Sequence, residues 1–164
     1  MQLEELIAAI RSVHRERCFA MEQRKRSDLA LASFLRTVLG WRKGGDEEAN
    51  KYAKERALKL ISICEKELKE DAKPEEKRKP VEGIEAEDYQ ALRNIVAASI
   101  MARQPFQDIE KARAKDMARY AKQLPVYDWA SDIDGFGDVS LAVIIAEAGD
   151  LSKYDNPAKL YSRM

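Results

Sequence analysis

The chain has 164 residues, of which 35% are charged, and its 29 Lys and Arg balance its 29 Asp and Glu. Proteins that wrap nucleic acid through bulk charge are usually strongly basic, so binding of that kind would require a local patch here. The two cysteines, Cys18 and Cys64, are far apart and form no C-x-x-C spacing. This argues against a disulfide scaffold or a zinc site and fits a reducing compartment.

The sequence predicts neither a membrane span nor a secretory signal. No stretch approaches the roughly 18 apolar residues that a membrane helix needs. The N-terminal sequence MQLEELIAAIRSVHRER lacks a basic start followed by an apolar core. We therefore expect a soluble, cytoplasmic protein with no membrane partner, whose length fits one domain or a small globular part with helical arms.

Residues 1–71 are predicted to form an N-terminal helical arm of two or three helices. Apolar residues recur at spacings of three and four over 3–21 and again over 29–39. Ser27 suits a helix N-cap, so the pattern allows a break near 25–27. Gly40 ends this part of the arm, because glycine readily takes the left-handed conformation that closes a helix.

The next segments continue the helical pattern. Asp46 is a predicted N-cap for a helix whose apolar stripe runs to residue 68. Residues 72–84 are rich in charge and contain two prolines and a glycine, which predicts a solvated linker. Residues 85–124 form a further long helical segment, with a kink or a fresh start expected at Pro105.

The region 125–164 contains a more informative motif, because residues 133–150 read IDGFGDVSLAVIIAEAGD. A glycine, an apolar residue and a glycine, followed by a helix rich in small residues, are typical of a helix-hairpin-helix. Gly135 and Gly137 permit a tight turn and leave backbone N–H groups exposed, while Phe136 is expected to pack between the helices. The fold class is therefore predicted to be all-α: long amphipathic helices followed by a C-terminal helix-hairpin-helix.

The hairpin loop is a candidate phosphate site. The helix after the loop begins at Asp138 or Val139, so its unpaired N–H groups and positive dipole end face the loop. Ser140, in the first turn, is a further candidate contact. The alternative is a purely structural αα-hairpin. That alternative is favoured by an acidic loop region, since residues 131–150 hold five carboxylates and no Lys or Arg.

A basic stripe precedes the hairpin and supplies the charge that the loop lacks. Its four members fall on one helix face, opposite the apolar residues of that helix, and are Lys111, Lys115, Arg119 and Lys122. An ordinary solvated helix face is the alternative interpretation. A second basic cluster lies near the N-terminus and comprises Arg11, Arg15, Arg17 and residues 24–26. It too is either a nucleic-acid contact or a merely exposed surface.

Residues 125–164 resemble a known family. They look like the helix-hairpin-helix region of insertion-sequence transposases that pair a RuvC-like DEDD domain with a C-terminal serine domain and use a bridge RNA to choose their target. The resemblance rests on I-x-G-F-G, on the small-residue helix and on the continuation IIAEAGDLSKYDNPAKL. The matching positions of that continuation are Ala146, Glu147, Gly149, Asp150, Tyr154 and Leu160.

This resemblance implies a role in DNA transposition and recombination, with DNA and also structured RNA as expected partners. It transfers no catalytic residue. The family's acidic domain should precede this region as strands, whereas residues before 125 show helical patterning, and the family's serine would lie beyond Met164. We therefore expect the chain to be either a piece of a full recombinase or a short relative that lacks both catalytic parts.

No other catalytic, cofactor or metal site is predicted. His14 is the only histidine, and we expect it to face solvent or to be partly packed. The carboxylates of Glu65, Glu67, Glu70 and Asp71 lie among lysines, which predicts surface ion pairs. The main alternative to nucleic-acid binding is a helical assembly protein, a homodimer held by its long apolar stripes.

Overall fold

The computed structural model describes residues 2–68, 81–156 and 158–159. These residues form five α-helices and one short 3₁₀ turn and contain no strand. The helices are α1 (Leu3–Val38), α2 (Glu47–Glu67), α3 (Ala86–Ala121), α4 (Tyr127–Ser131) and α5 (Asp138–Ala148), and the 3₁₀ turn is Leu151–Lys153. The all-α prediction is confirmed.

None of the helices described has a stretch apolar and long enough to cross a lipid bilayer.

Both long helices continue through the points where the sequence allows a break. Helix α1 runs unbroken past residues 25–27, and α3 contains Pro105 in its interior. Around Ser27 the chain is rich in Gln, Arg and Lys, which are good helix formers, so the polar interval does not end the helix. Pro105 starts no new helix; the helix is maintained by the turns on either side of it.

The contacts divide the chain into two compact units. Unit 1 comprises Met1–Glu22 and Phe106–Met164, and unit 2 comprises Gln23–Pro105. Each long helix therefore contributes residues to both units, and the two boundaries lie close to the predicted interruptions at 25–27 and Pro105. The division predicted from sequence, by contrast, follows chain order. Residues 72–80 of the predicted linker lie outside the described residues.

Unit 2 has its own apolar core, made by α1, α2, α3 and the segment before α3. Leu35, Leu60 and Val96 are fully buried there. Val81, at the end of the predicted linker, is also buried in this core. Burial, together with the nearby Glu67, raises the pKa of the Cys64 thiol to about 11. Cys64 is therefore a protonated core residue at neutral pH.

Ion pairs between helices surround this core. The guanidinium of Arg103 on α3 pairs with Asp28 on α1 and with Glu65 on α2. Burial lowers the pKa of Arg103, but its hydrogen bonds to the two carboxylates outweigh that effect and raise it. Arg93 Nε lies 2.6 Å from Glu67 Oε2. Glu65 and Glu67 therefore pair with arginines of α3, because packing places α3 against their side of α2; Glu70 and Asp71 lie outside the described residues.

Replacing Arg103 tests this network. In Arg103→Met the side chain keeps its apolar length but leaves two carboxylates without their common partner. We expect the free energy of unfolding of unit 2 to fall by about 2 kcal/mol. This loss is smaller than the cost of breaking a fully buried pair, because Glu65 is 42% exposed. The measurement is chemical denaturation followed by circular dichroism. The exposed Lys59→Met is the control, and an equal loss in both variants would contradict the role given to Arg103.

Candidate nucleic-acid interface

The core of unit 1 fixes the position of α5. Helix α5 buries most of its length against the first turns of α1 and the last turns of α3. Its fully or nearly buried residues are Leu141, Ala142, Ile145, Ala146 and Ala148. Three of them are alanines, and small side chains allow close approach between helices. A helix apolar on nearly all sides must be covered in this way.

The loop before α5 turns at Gly135. The backbone of Gly135 has a φ of +80°, a region that side chains other than glycine rarely adopt. Phe136 N donates to Ile133 O at 3.0 Å, and the Phe136 ring packs against the unit 1 core. Gly137 is different, because its φ of −84° and ψ of 160° are ordinary extended values. The expectation that both glycines are required by the turn is therefore correct for Gly135 and wrong for Gly137.

The first turn of α5 leaves backbone donors open. Gly137 is the N-cap residue and has no side chain to cap the helix. The N–H groups of Ser140 and Leu141 donate to Gly137 O at 2.9 and 3.2 Å. Within the described part of the chain the N–H groups of Asp138 and Val139 have no hydrogen-bond partner. Ser140 is exposed beside them, and a Cβ built on Gly137 would meet no atom within 4 Å.

Asp138 brings the loop and the basic stripe together. One oxygen of its carboxylate accepts a hydrogen bond from Tyr127 Oη at 3.1 Å, and the other lies 3.4 Å from Lys122 Nζ. Burial and the hydrogen bond to Asp138 raise the pKa of Tyr127, so its hydroxyl remains a donor. Lys122, the last member of the stripe, therefore lies at the N-terminus of α5 and offsets one of the acidic charges there.

All four residues of the basic stripe are exposed, three of them on α3 and Lys122 directly after its end, while Met117 and Ala121 of α3 are buried. Arg119 pairs with Asp116 at 3.0 Å, and its guanidinium lies over the Tyr120 ring. The remaining two lysines, 111 and 115, form no ion pair with any residue that the structure describes. These two are the cations of the stripe most available to an external anion.

The loop keeps part of its acidic character. Asp132 and Asp134 are exposed, and no Lys or Arg in the described ranges lies within ion-pair distance of either. Their negative charge repels phosphate from the side of the loop that faces α4. A phosphate at the open N–H groups is therefore favoured only from the side of Lys122.

His14 is buried, which corrects the expectation of a solvent-facing or partly packed side chain. Its Nε2 lies 2.8 Å from Glu147 Oε1 on α5, and Cys18 Sγ lies 3.5 Å from the same nitrogen. A thiol, an imidazole and a carboxylate that relay a proton use the two different ring nitrogens. Here Cys18 Sγ lies 3.9 Å from Nδ1 but nearer, at 3.5 Å, to Nε2, the nitrogen that contacts the carboxylate. We therefore assign His14 a structural role, in which it ties α1 to α5.

A signal for this contact is present in the sequence. His14 follows Ile10 and Val13 on the buried face of α1, so its position predicts burial. The partner, Glu147, is more than a hundred residues away and could not be identified. Within the ranges described, no group of three or more His, Cys, Asp or Glu side chains is placed to hold a metal ion.

No protein-family model, curated protein or solved structure matches this chain. Functional inference therefore rests on the residues and their geometry.

The two ends of α5 respond oppositely to the same substitution. Gly149, its C-cap, has a φ of +84°, and a Cβ there would lie 2.6 Å from Arg11 Nη2. Gly149→Ser should therefore destabilise unit 1 by about 1–2 kcal/mol. Gly137→Ser should stabilise it by about 0.5 kcal/mol, because serine at an N-cap with ordinary dihedrals accepts from the open N–H groups.

Thermal denaturation of the two variants beside the unmodified protein measures both effects. Shifts of the melting temperature in the same direction would contradict the geometry assigned to the ends of α5.

Proposed function

We propose that this chain is a transposase-like, nucleic-acid-binding protein that contacts the phosphate backbone and has no catalytic site of its own. The contact surface is the loop Gly135-Phe136-Gly137 with Ser140, together with the basic stripe of α3. The observation that carries the proposal is the 3.4 Å approach of Lys122 to Asp138, because it joins the two sets of residues into one surface.

The charge distribution supports this proposal. The chain is neutral as a whole, but Lys111 and Lys115 stand one turn apart on an exposed face without carboxylate partners in the described ranges. Lysines spaced along a helix match the repeating charge of a nucleic-acid backbone. The open N–H groups of Asp138 and Val139 add uncharged donors of the kind that bind phosphate oxygens.

The substrate class follows from the same residues. The two unpaired lysines and the open backbone N–H groups are suited to contacts with phosphate oxygens, which carry no sequence information. We infer binding to DNA, and also to structured RNA, with little sequence preference. The helix-hairpin-helix interpretation and the cytoplasmic location belong to this proposal. The resemblance of residues 125–164 to transposases supports a role in mobile-element recombination.

A second candidate function is helical self-assembly, most simply as a homodimer. It is favoured by large apolar side chains that are more than half exposed, namely Phe19, Leu29, Val38, Leu58, Met101 and Trp129. Four of these residues belong to unit 2, whereas the loop and the stripe belong to unit 1. Apolar area of this kind is often covered by a partner. Assembly and nucleic-acid binding use different residues and are therefore separable.

Removing the two unpaired lysines tests the main proposal. In Lys111→Gln/Lys115→Gln we expect the affinity for duplex DNA to fall roughly ten-fold, since each exposed contact with a phosphate is worth about 0.5–1 kcal/mol. The loss should be the same for unrelated sequences. Fluorescence anisotropy at fixed salt measures it.

The matched control is Lys54→Gln/Lys59→Gln, which removes the same charge from an exposed face of α2. Equal losses in the two double variants would refute the assignment of the stripe.

Gly137→Ser then separates the loop from the stripe, because its hydroxyl occupies the open N–H groups. Unchanged affinity in that variant would leave the stripe as the binding surface and the loop as a structural turn. If the unmodified protein binds no nucleic acid and light scattering shows a dimer, the assembly function replaces the proposal.

A further inference from the structure

A groove of about 600 Å³ lies in unit 1 at the C-terminal end of α5, the end opposite the glycine loop. One side is formed by the first turns of α1, and the other by the segment from Ala148 to Tyr154. A volume of this size is within the range of sites for small organic ligands. The groove includes Arg11 and Arg15, two members of the N-terminal basic cluster that the proposed function does not use.

Three cations line this groove, and Arg11 is held in place. Its Nε donates to Ala146 O at 3.1 Å, and its Nη2 occupies the space that a side chain at residue 149 would need. The terminal guanidinium nitrogens of Arg11 have no carboxylate partner in the described ranges. Arg15 lies one turn further along α1, and Lys153 faces α1 from the other side; neither forms an ion pair with a described residue.

Two carboxylates, Glu4 and Asp150, also line the groove. One oxygen of Asp150 accepts hydrogen bonds from Ser152 Oγ at 2.7 Å and from Ser152 N at 3.0 Å. These bonds lower the pKa of Asp150, which is therefore ionised at neutral pH. One of its two carboxylate oxygens is therefore already hydrogen-bonded to Ser152. Three cations against two carboxylates leave the groove with an excess of positive charge.

Besides Ser12 and Gly149, the rest of the lining consists of aliphatic side chains and one aromatic ring. Ile7, Ala8 and Ala148 contribute aliphatic surface. Tyr154 donates its hydroxyl hydrogen to Ala148 O at 2.8 Å, so its ring is fixed as one wall. An aromatic ring beside arginines is suited to a ligand that has both a flat organic part and an anionic group.

We propose that this groove binds a phosphate-bearing ligand of nucleotide size. The phosphate lies among Arg11, Arg15 and Lys153, and the organic part lies against Tyr154 and the aliphatic wall. The phosphate belongs either to a free nucleotide or to the end of a nucleic-acid strand. The site goes beyond the proposed function, because it shares no residue with the glycine loop or with the stripe of α3.

Isothermal titration calorimetry with adenosine 5′-monophosphate, adenosine and inorganic phosphate tests the site. We expect the monophosphate to bind at least ten-fold more tightly than either fragment, because only it uses both the cations and the apolar wall. Arg15→Gln should weaken its binding about ten-fold, whereas Lys111→Gln, which removes the same charge from another face of unit 1, should not. Competition by oligonucleotides with and without a 5′-phosphate identifies the source of the phosphate.

Absence of monophosphate binding at millimolar concentration would overturn the proposal. So would an equal loss in Arg15→Gln and Lys111→Gln, which would indicate bulk charge, or equal affinity for the monophosphate and inorganic phosphate. The proposed function is tested by a different result. The affinity for duplex DNA should fall in Lys111→Gln and should not fall in Arg15→Gln. In the unmodified protein, amide resonances of Gly149 and Ser152 should shift on addition of the monophosphate.

Discussion

The burial of α5 is the constraint on which both candidate sites depend. The helix is apolar on nearly every side, so it must be enclosed by α1 and the end of α3. Val143 and Ile144 are only partly buried, but the backbone groups that a ligand could reach lie at the two ends of the helix. The N-terminal end opens toward the glycine loop and Lys122, and the C-terminal end opens toward Arg11 and the groove. His14, bonded to Glu147, holds α5 against α1 between these ends.

Ion pairing decides which charges remain available to a ligand. Arg103 and Arg93 are committed to carboxylates within unit 2, and Arg113 contacts Glu16 and Asp116 within unit 1. The opposite charges of such a pair largely cancel, so the pair attracts an external anion only weakly. Lys111 and Lys115 on α3 and the cations that line the groove are among those that packing leaves without a carboxylate in the described ranges, and both proposals rest on them. A neutral chain can in this way present two separate positive surfaces.

The sequence predicts what depends on local spacing. Helical periodicity correctly predicts the all-α class, the helix starting at Asp138 and the exposure of the stripe from Lys111 to Lys122. The requirement for glycine at residue 135 follows from the turn itself.

Contacts between distant segments could not be predicted in this way. The pairing of Arg103 with Asp28, of His14 with Glu147 and of Arg11 with the backbone of Ala146 each joins residues far apart in the chain. Periodicity indicates that a residue is buried but not what covers it. For that reason the sequence could not indicate that Gly149, the C-cap of α5, makes room for the Arg11 guanidinium.

We propose that local unpaired cations, rather than net charge, give this protein affinity for a phosphate backbone. The most direct test is the salt dependence of binding, measured by fluorescence anisotropy with labelled duplex DNA and structured RNA at about 50 and 200 mM salt. The account predicts that affinity falls roughly 10- to 50-fold over this range, the loss expected for two or three phosphate contacts. Affinity that does not change with salt, or no binding at the lower concentration, would contradict it.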